Sequence, residues 1–366
     1  MIGILGGYGE VGIHATRQLA KWNKLPIKIG GRNPKKAQEK FSKEFPDVTW
    51  ESVNVEDDKG LEVFIQGCTV LVNCVGPSHK VSSRVAKLCI SNHCHHIDAG
   101  IDQALEKMSS IETEVSIRYG AGTTPGLTGI LPQWLAQEFD TVNSLVMYTG
   151  ALDRFTTSGA EDYLVGVLEE TNEPLAAWRD RKKKSSVLKR QSATTIPFFP
   201  REVAVFPFFD NESLYVAQQL NLINGDWNLV IDGTHVPEAL NVVRSQFETD
   251  PKGAVERLCL AADLDLIGRQ TYFNLIVQLD GQKNENSITR TAILQMDAMS
   301  VLTGTITALI CISVLEDKVP SGIGPASELP NPEKIIDRLM TSGVVTEFKI
   351  VDTSIVALLE EVEGEI

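Results

Sequence analysis

The chain has 366 residues, 43% apolar and 22% charged, a composition that suits a folded protein of two domains rather than a disordered one. Its net charge of -14 opposes condensation on a phosphate backbone, so nucleic acid is not an expected partner. Six cysteines (68, 74, 89, 94, 259 and 311) form no CxxC pair, and no basic-then-apolar leader follows Met1. A reducing cytoplasm with free thiols is the expected setting.

From residue 1 to about 119, short β-rich runs alternate with amphipathic segments, the pattern of a parallel sheet with helices on both faces. Strands are expected at 2–5, 27–29, 48–53, 70–73, 95–98 and 115–119, and helices at 11–21, 34–45, 59–66 and 82–91. Asn33-Pro34 marks a helix start, with proline at the first helical position and asparagine able to cap. Beyond Pro125 the spacing changes. A strand at 145–150 precedes a helix at 158–170, approached through Thr156-Thr157-Ser158-Gly159. The basic run 179–190 reads as a solvated loop rather than an anion site. Runs at 272–279 and 288–294 form a hairpin that turns at Asp280-Gly281 and the polar residues after it. These runs predict a second, mixed or antiparallel sheet. The uncharged stretch 298–315 is broken by Ser, Thr and Gly and flanked by Asp297 and Glu316, so it reads as a buried helix, with no membrane contact expected. Asn331-Pro332 opens a last helix with Ile335, Ile336, Leu339 and Met340 on one face, and Phe348 and Ile350 then alternate as an edge strand would.

The first βα turn carries the most specific motif. Ile2-Gly3-Ile4-Leu5 leads into Gly7-x-Gly9-x-x-Gly12, the dinucleotide fingerprint with a strand ahead and a helix behind. In a Rossmann-type turn Gly7 permits the bend, Gly9 admits the pyrophosphate, and Gly12 lets helix pack on strand. Tyr8, Glu10 and Val11 complete the loop, whose free N–H groups and positive helix end suit phosphates. The second strand ends Gly30-Gly31-Arg32-Asn33, with no carboxylate for a ribose 2′-hydroxyl. Arg32 can instead meet a 2′-phosphate, so NADP(H) is the expected cofactor.

Gly6-Gly7-Tyr8-Gly9, Gly30-Gly31-Arg32-Asn33-Pro34, Val72-Asn73-Cys74-Val75-Gly76-Pro77 and His95-His96-Ile97-Asp98 together resemble the saccharopine dehydrogenase-like family of NADP-dependent reductases. The likeness is strong over residues 1–130 and returns weakly over about 296–350, through Gly304 and Gly322-Ile323-Gly324-Pro325. It implies a doubly wound parallel sheet of 1–125 plus about 296–350, and an α+β domain of 126–295 for substrate binding and subunit contact. It implies too a homodimer, and hydride transfer from NADPH to a carbon–nitrogen double bond formed from an amino acid or amine. Relatives that reduce carbon–carbon double bonds leave an alternative, an enoyl or cyclic-imine reductase acting on a carrier-bound or peptide intermediate. An NADP(H)-binding sensor or scaffold without turnover is a third reading.

The parallel strands end at the expected active site. Asn54 and Val55 should flank the adenine, Gly76 and Pro77 should wall the nicotinamide ribose as the family motif places them, and Asn73 and Cys74 are further cofactor-binding candidates. Imine reduction needs a proton on nitrogen, and Asp98 closes a strand ahead of Ala99-Gly100 with His96 on the same side, so these two are the expected acid and its partner. An equally simple reading makes Asp98 the cap of the next turn and His96 a core residue. His79, Thr124, Pro125, Gly126, Arg154, Ser158 and Tyr163 are candidates for binding substrate, although Thr123–Thr128 also reads as a hinge and Thr156–Gly159 as a simple helix cap. Cys89, His93, Cys94, His95 and His96 have poor spacing for a metal site, since adjacent strand residues point to opposite faces and four of them cannot easily converge, so none is expected.

Overall fold

The structure is a computed structural model and describes residues 1–169, 171–317 and 319–364. In chain order the first elements are β1 (Ile2–Leu5), α1 (Gly12–Trp22), β2 (Ile27–Gly31), α2 (Pro34–Phe41), β3 (Thr49–Ser52) and α3 (Asp58–Ile65). Next come β4 (Val70–Asn73), α4 (Ser78–Ser91), β5 (His95–Asp98), α5 (Gln103–Glu106), β6 (Ser116–Tyr119) and α6 (Leu127–Leu135). The middle holds β7 (Thr141–Leu152), α7 (Thr157–Leu168), β8 (Glu173–Pro174), β9 (Ala177–Arg179), β10 (Lys182–Lys184) and β11 (Gln191–Thr194). It continues through β12 (Val203–Phe209), α8 (Asn211–Gln219), β13 (Asn224–Ile231), α9 (His235–Thr249) and α10 (Pro251–Asp265). Last are β14 (Tyr272–Lys283), β15 (Asn286–Met296), α11 (Met299–Glu316), β16 (Gly322–Pro325), α12 (Pro332–Thr341), β17 (Glu347–Val351) and α13 (Ile355–Gly364).

Two compact units result, one of Met1–Ile130 with Ser300–Val344, the other of Leu131–Met299 with the chain from Val345 onward. In the first, seven strands run parallel in the order β16-β6-β5-β4-β1-β2-β3. Every residue of β1 and β4 is buried, as expected of central strands covered on both faces. The chain leaves β1 for β2 on one side and later places β4 on the other, so a crevice opens at the carboxyl ends of β1 and β4.

Helix α11 is apolar and long enough to cross a membrane by length and composition, yet most of it is buried within the fold. It packs in the first unit against the start of α1: a Cβ on Gly304 would lie 2.4 Å from the Val11 carbonyl oxygen, so only glycine permits this approach. Thr307 donates to the Ala121 carbonyl at 2.7 Å, which satisfies one of the helix's polar interruptions.

The second unit is α+β. Its mixed sheet runs β10-β9-β13-β7-β14-β15-β17, with β13 and β7 parallel and β7 and β14 antiparallel. Helices α7, α9 and α10 share one hydrophobic cluster, built on Leu164, Val243 and Leu258. Ile276, Ile293 and Val230 centre a separate cluster.

Several expectations need correction. The hairpin turns at Asn284-Glu285, both left-handed with φ of 50° and 66°, and β14 runs on through Asp280-Gly281. Gly281 serves close approach of strands instead, since a Cβ there would lie 2.1 Å from the Thr141 carbonyl oxygen. Basic residues 179–184 form the β9–β10 hairpin rather than a solvated loop, with Asp180 and Arg181 at its turn. Phe348 and Ile350 do lie on an edge strand, but β17 pairs with β15 in the second sheet, so residues from Val345 fall outside the nucleotide unit. Helix α4 begins at Ser78, four residues earlier than the pattern suggested, because Pro77 supplies a natural start. Glu170, the expected end of the helix from 158, lies outside the described residues; α7 itself closes at Leu168.

Candidate functional site

The cofactor loop has its left-handed residue at Gly6 (φ 70°), one position before the Gly7 expected to make the bend. The Gly6-Gly7 doublet was the available signal. Gly12 packs its α-carbon against the loop: a Cβ would stand 2.1 Å from the Gly6 carbonyl oxygen. At Gly9 the only atom near such a Cβ is that same oxygen, at 3.2 Å, so the surface beside it is open. Helix α1 carries no side-chain cap and no acidic residue in its first turn. Among the described residues nothing accepts from the amides of Glu10, Val11 or Gly12. Three free N–H groups at a helix start form an anion cradle suited to phosphate oxygens.

Tyr8 reaches across to the end of β2. Its hydroxyl accepts from the Asn33 backbone N–H at 2.8 Å, and a Cβ on Gly31 would lie 2.3 Å from that oxygen, which explains glycine at 31. The Asn33 side chain makes no capping bond to α2; proline alone marks the helix start. Arg32 is exposed, and among the described residues its side chain has no hydrogen bond or ion pair. Asn54 is also exposed and closes a turn by accepting from Glu56 N–H at 3.1 Å, while the Val55 carbonyl accepts from Arg84 at 3.3 Å.

At the carboxyl ends of β4 and β5 three polar side chains are tied together. Asp98, 1% exposed, accepts from Asn73 Nδ2 at 2.9 Å and from Gly100 N–H at 3.0 Å, and lies 3.2 Å from His96 Nε2. Asn73 in turn accepts from Val75 N–H at 3.1 Å, so the strand-end loops that carry Gly76-Pro77 and Ala99-Gly100 share one network. His96 and Asp98 do share a face of β5, as the alternation required. Neither faces an open cleft. Both are fully buried, and Asp98 closes the turn to Gly100 in the manner of the simpler reading. His96 Nδ1 is buried without a hydrogen bond.

Burial, with the Asp98 carboxylate second, pushes the Cys74 thiol up to about 12, so it is an inert packing group rather than a nucleophile. Gly76-Pro77 is a cis peptide, and His79 sits in the first turn of α4. The loop before α6 lies alongside: Ala121 N–H donates to the Asp98 carbonyl at 2.8 Å and Gly120 N–H to that of Gly100 at 2.7 Å. Thr123 is buried against the Thr303 hydroxyl at 2.9 Å, Pro125 follows a cis bond, and Gly126 (φ 124°) bridges back to Gly122. Of this segment's hydroxyls Thr124 alone is exposed. His95 turns the other way and accepts from Ser116 N–H at 3.0 Å. His93 is exposed, while Cys89 and Cys94 lie in the core, so these groups do not converge.

Arg154, Ser158 and Tyr163 belong to the second unit. Thr156 caps α7 by accepting from Gly159 N–H at 3.0 Å, which accounts for the hydroxyl cluster there as a helix start. Arg154 is exposed and lies 3.5 Å from Asp263. Tyr163 packs its ring on Phe155 at 5.5 Å.

Comparison with known proteins agrees with this geometry. Residues 2–122 match the family model of the saccharopine dehydrogenase NADP binding domain. The fold is similar to that of apo saccharopine dehydrogenase (L-Glu forming) from Saccharomyces cerevisiae, with a TM-score of 0.69 and 14% identity over 96% of this chain and 99% of that one. It is also similar to homospermidine synthase from Legionella pneumophila, solved in complex with NAD, with a TM-score of 0.57 and 13% identity over 96% of this chain and 91% of that one. No curated protein matches the sequence. Residues 2–122 thus match a pyridine-nucleotide-binding domain of saccharopine dehydrogenase type, and the chain as a whole has the saccharopine dehydrogenase-like fold.

Proposed function

We propose that this chain is an NADP(H)-dependent oxidoreductase that reduces a carbon–nitrogen double bond formed from an amino acid or amine. The observation that carries the cofactor choice is Arg32, an exposed guanidinium without a partner among the described residues, at a strand end that offers no carboxylate. Amide donors of Glu10, Val11 and Gly12 hold the pyrophosphate in this reading, and Arg32 pairs with the 2′-phosphate. Bound NADPH supplies the hydride. The names of the two similar structures, a saccharopine dehydrogenase that forms L-Glu and a homospermidine synthase, favour an amine-derived substrate.

The chain's own part is positional and protonic. Asn73 and Asp98 hold the loops beside the nicotinamide, so that Gly76-Pro77 and Gly100 stay in register. A buried nitrogen without a partner is costly, and His96 Nδ1 is one. In this reading the His96–Asp98 pair holds the proton that the substrate nitrogen takes up.

Fluorescence titration with NADPH and NADH tests the first step, and loss of reduced-nicotinamide absorbance across a panel of amines paired with 2-oxo acids tests the second. Tighter binding of NADPH and turnover with at least one pair are expected. Preference for NADH would overturn the role of Arg32. NADPH binding without turnover on any pair would overturn the imine reading, and turnover intact in both Asp98→Ala and His96→Ala would remove the proton path.

A further inference from the structure

The second unit contains a cavity of about 270 Å³ with a wall that is mostly apolar, between α7, α9 and the strands β12 and β13. Leu164 and Val243 form its buried floor, while Val167, Phe206, Phe208 and Leu229 line it half-exposed. Large apolar side chains are rarely gathered around open space unless something fills it. Leu175 also lines the cavity and holds a left-handed backbone (φ 64°), which is unusual for leucine; its N–H and carbonyl are both committed, to Pro207 and to Val187 and Leu188.

Polar groups stand at two points of the wall. Tyr163 lines it, and among the described residues its hydroxyl has no hydrogen bond. Burial pushes that phenol up to about 12, so it remains a donor. The Arg190 guanidinium carbon lies over Phe206 at 4.3 Å from the ring centre, and Arg190 donates to Asn241 at 2.9 Å. Three other cations of its run have carboxylate partners: Arg179 with Asp226 at 2.6 Å, Lys183 with Glu173 at 3.1 Å, and Lys184 with Asp180; Arg181, Lys182 and Lys189 have none among the described residues, but they do not line the cavity. Among the described residues Arg190 has no carboxylate partner either. The Phe206 contact and the Asn241 bond hold the guanidinium while leaving some of its N–H groups unused.

We propose that this cavity binds a small amphiphilic carboxylate, with the alkyl body against Val167, Phe206 and Leu229 and the carboxylate on Arg190. The site lies wholly within the second unit and does not depend on the proposed reduction. Apolar walls supply affinity without direction, and the single fixed cation selects an anionic head.

Calorimetric titration with octanoate, and with 1-octanol as the uncharged control, tests it. Wild-type protein should bind one octanoate per chain and bind octanol more weakly. Arg190→Gln, a change at an exposed position, should weaken octanoate at least about tenfold, the loss expected for one charge-assisted contact, and leave octanol unchanged. Val167→Trp should fill the cavity and abolish both. Thermal unfolding reports whether each variant is folded; if Val167→Trp is not, Arg190→Gln decides alone. Failure of the wild type to bind octanoate, or equal binding by Arg190→Gln, overturns the proposal.

Discussion

Asn73 donates its side-chain amide to Asp98 at 2.9 Å, joining the last residue of β4 to the last residue of β5. Since Asp98 also accepts from Gly100 N–H and faces His96, Asp98→Ala strands several buried polar groups at once. Its expected cost is about 2–4 kcal/mol, more than a single neutral hydrogen bond, and urea unfolding measures it. Asp98→Asn keeps the shape and an acceptor, so it should cost less than half as much. Equal stability of the alanine variant and wild type would mean that the network holds nothing.

Arg32→Ala should separate the two cofactors. Loss of a charge-assisted phosphate contact weakens NADPH by about ten- to a hundredfold and leaves NADH within about twofold. The effect should shrink as salt rises, because Arg32 is exposed. Parallel weakening of NADPH and NADH would instead mark Arg32 as structural.

Gly12→Ala and Gly304→Val probe the same few ångströms from opposite sides. Each adds carbon where a carbonyl oxygen already stands, of Gly6 in one case and Val11 in the other. Both should destabilise the nucleotide unit by about 1–3 kcal/mol as overpacking does, and should weaken cofactor binding disproportionately because the displaced atoms belong to the phosphate loop. Fluorescence titration at a temperature where both variants remain folded reads the second effect. Unchanged affinity in Gly304→Val would show that α11 does not shape the loop.

His95 makes stability depend on pH. Burial lowers its pKa from the ordinary 6.5, so the unfolded chain binds a proton more readily than the folded one. The contribution is complete above 6.5 and is lost as pH falls through that value toward the lower folded pKa. Accepting from Ser116 N–H reinforces the neutral ring. The thermal midpoint should fall between neutrality and pH 5.5, and more steeply in wild type than in His95→Gln. His14, lowered by burial and then by Arg17, adds a parallel slope that the variant retains.

Much of the nucleotide unit was legible because its signals are local. A buried strand, a glycine turn and a helix start occupy residues 2–22, and each follows from residues a few positions away. The Gly281 error has the opposite origin. Glycine after aspartate ordinarily marks a turn, but here it makes room for Thr141, a residue 140 positions distant whose approach no local pattern records. Asp98 is a mixed case: alternation placed His96 beside it, yet only the structure reveals Asn73 covering the same carboxylate. Placement of β17 in the second sheet also escaped, because an alternating edge strand says nothing about which sheet it joins.

The edge strand β16 lies beside β6 although about two hundred residues separate them in the chain, and α11 reaches α1 from nearly three hundred residues away. A ribosome must therefore deliver the whole intervening segment before the first sheet is complete. Until then β6 presents an unpaired edge and the phosphate loop lacks its backing helix. Nascent chains halted before residue 300 should be sticky and unable to retain nucleotide, so a cell making this protein has reason to shield its amino-terminal third during synthesis.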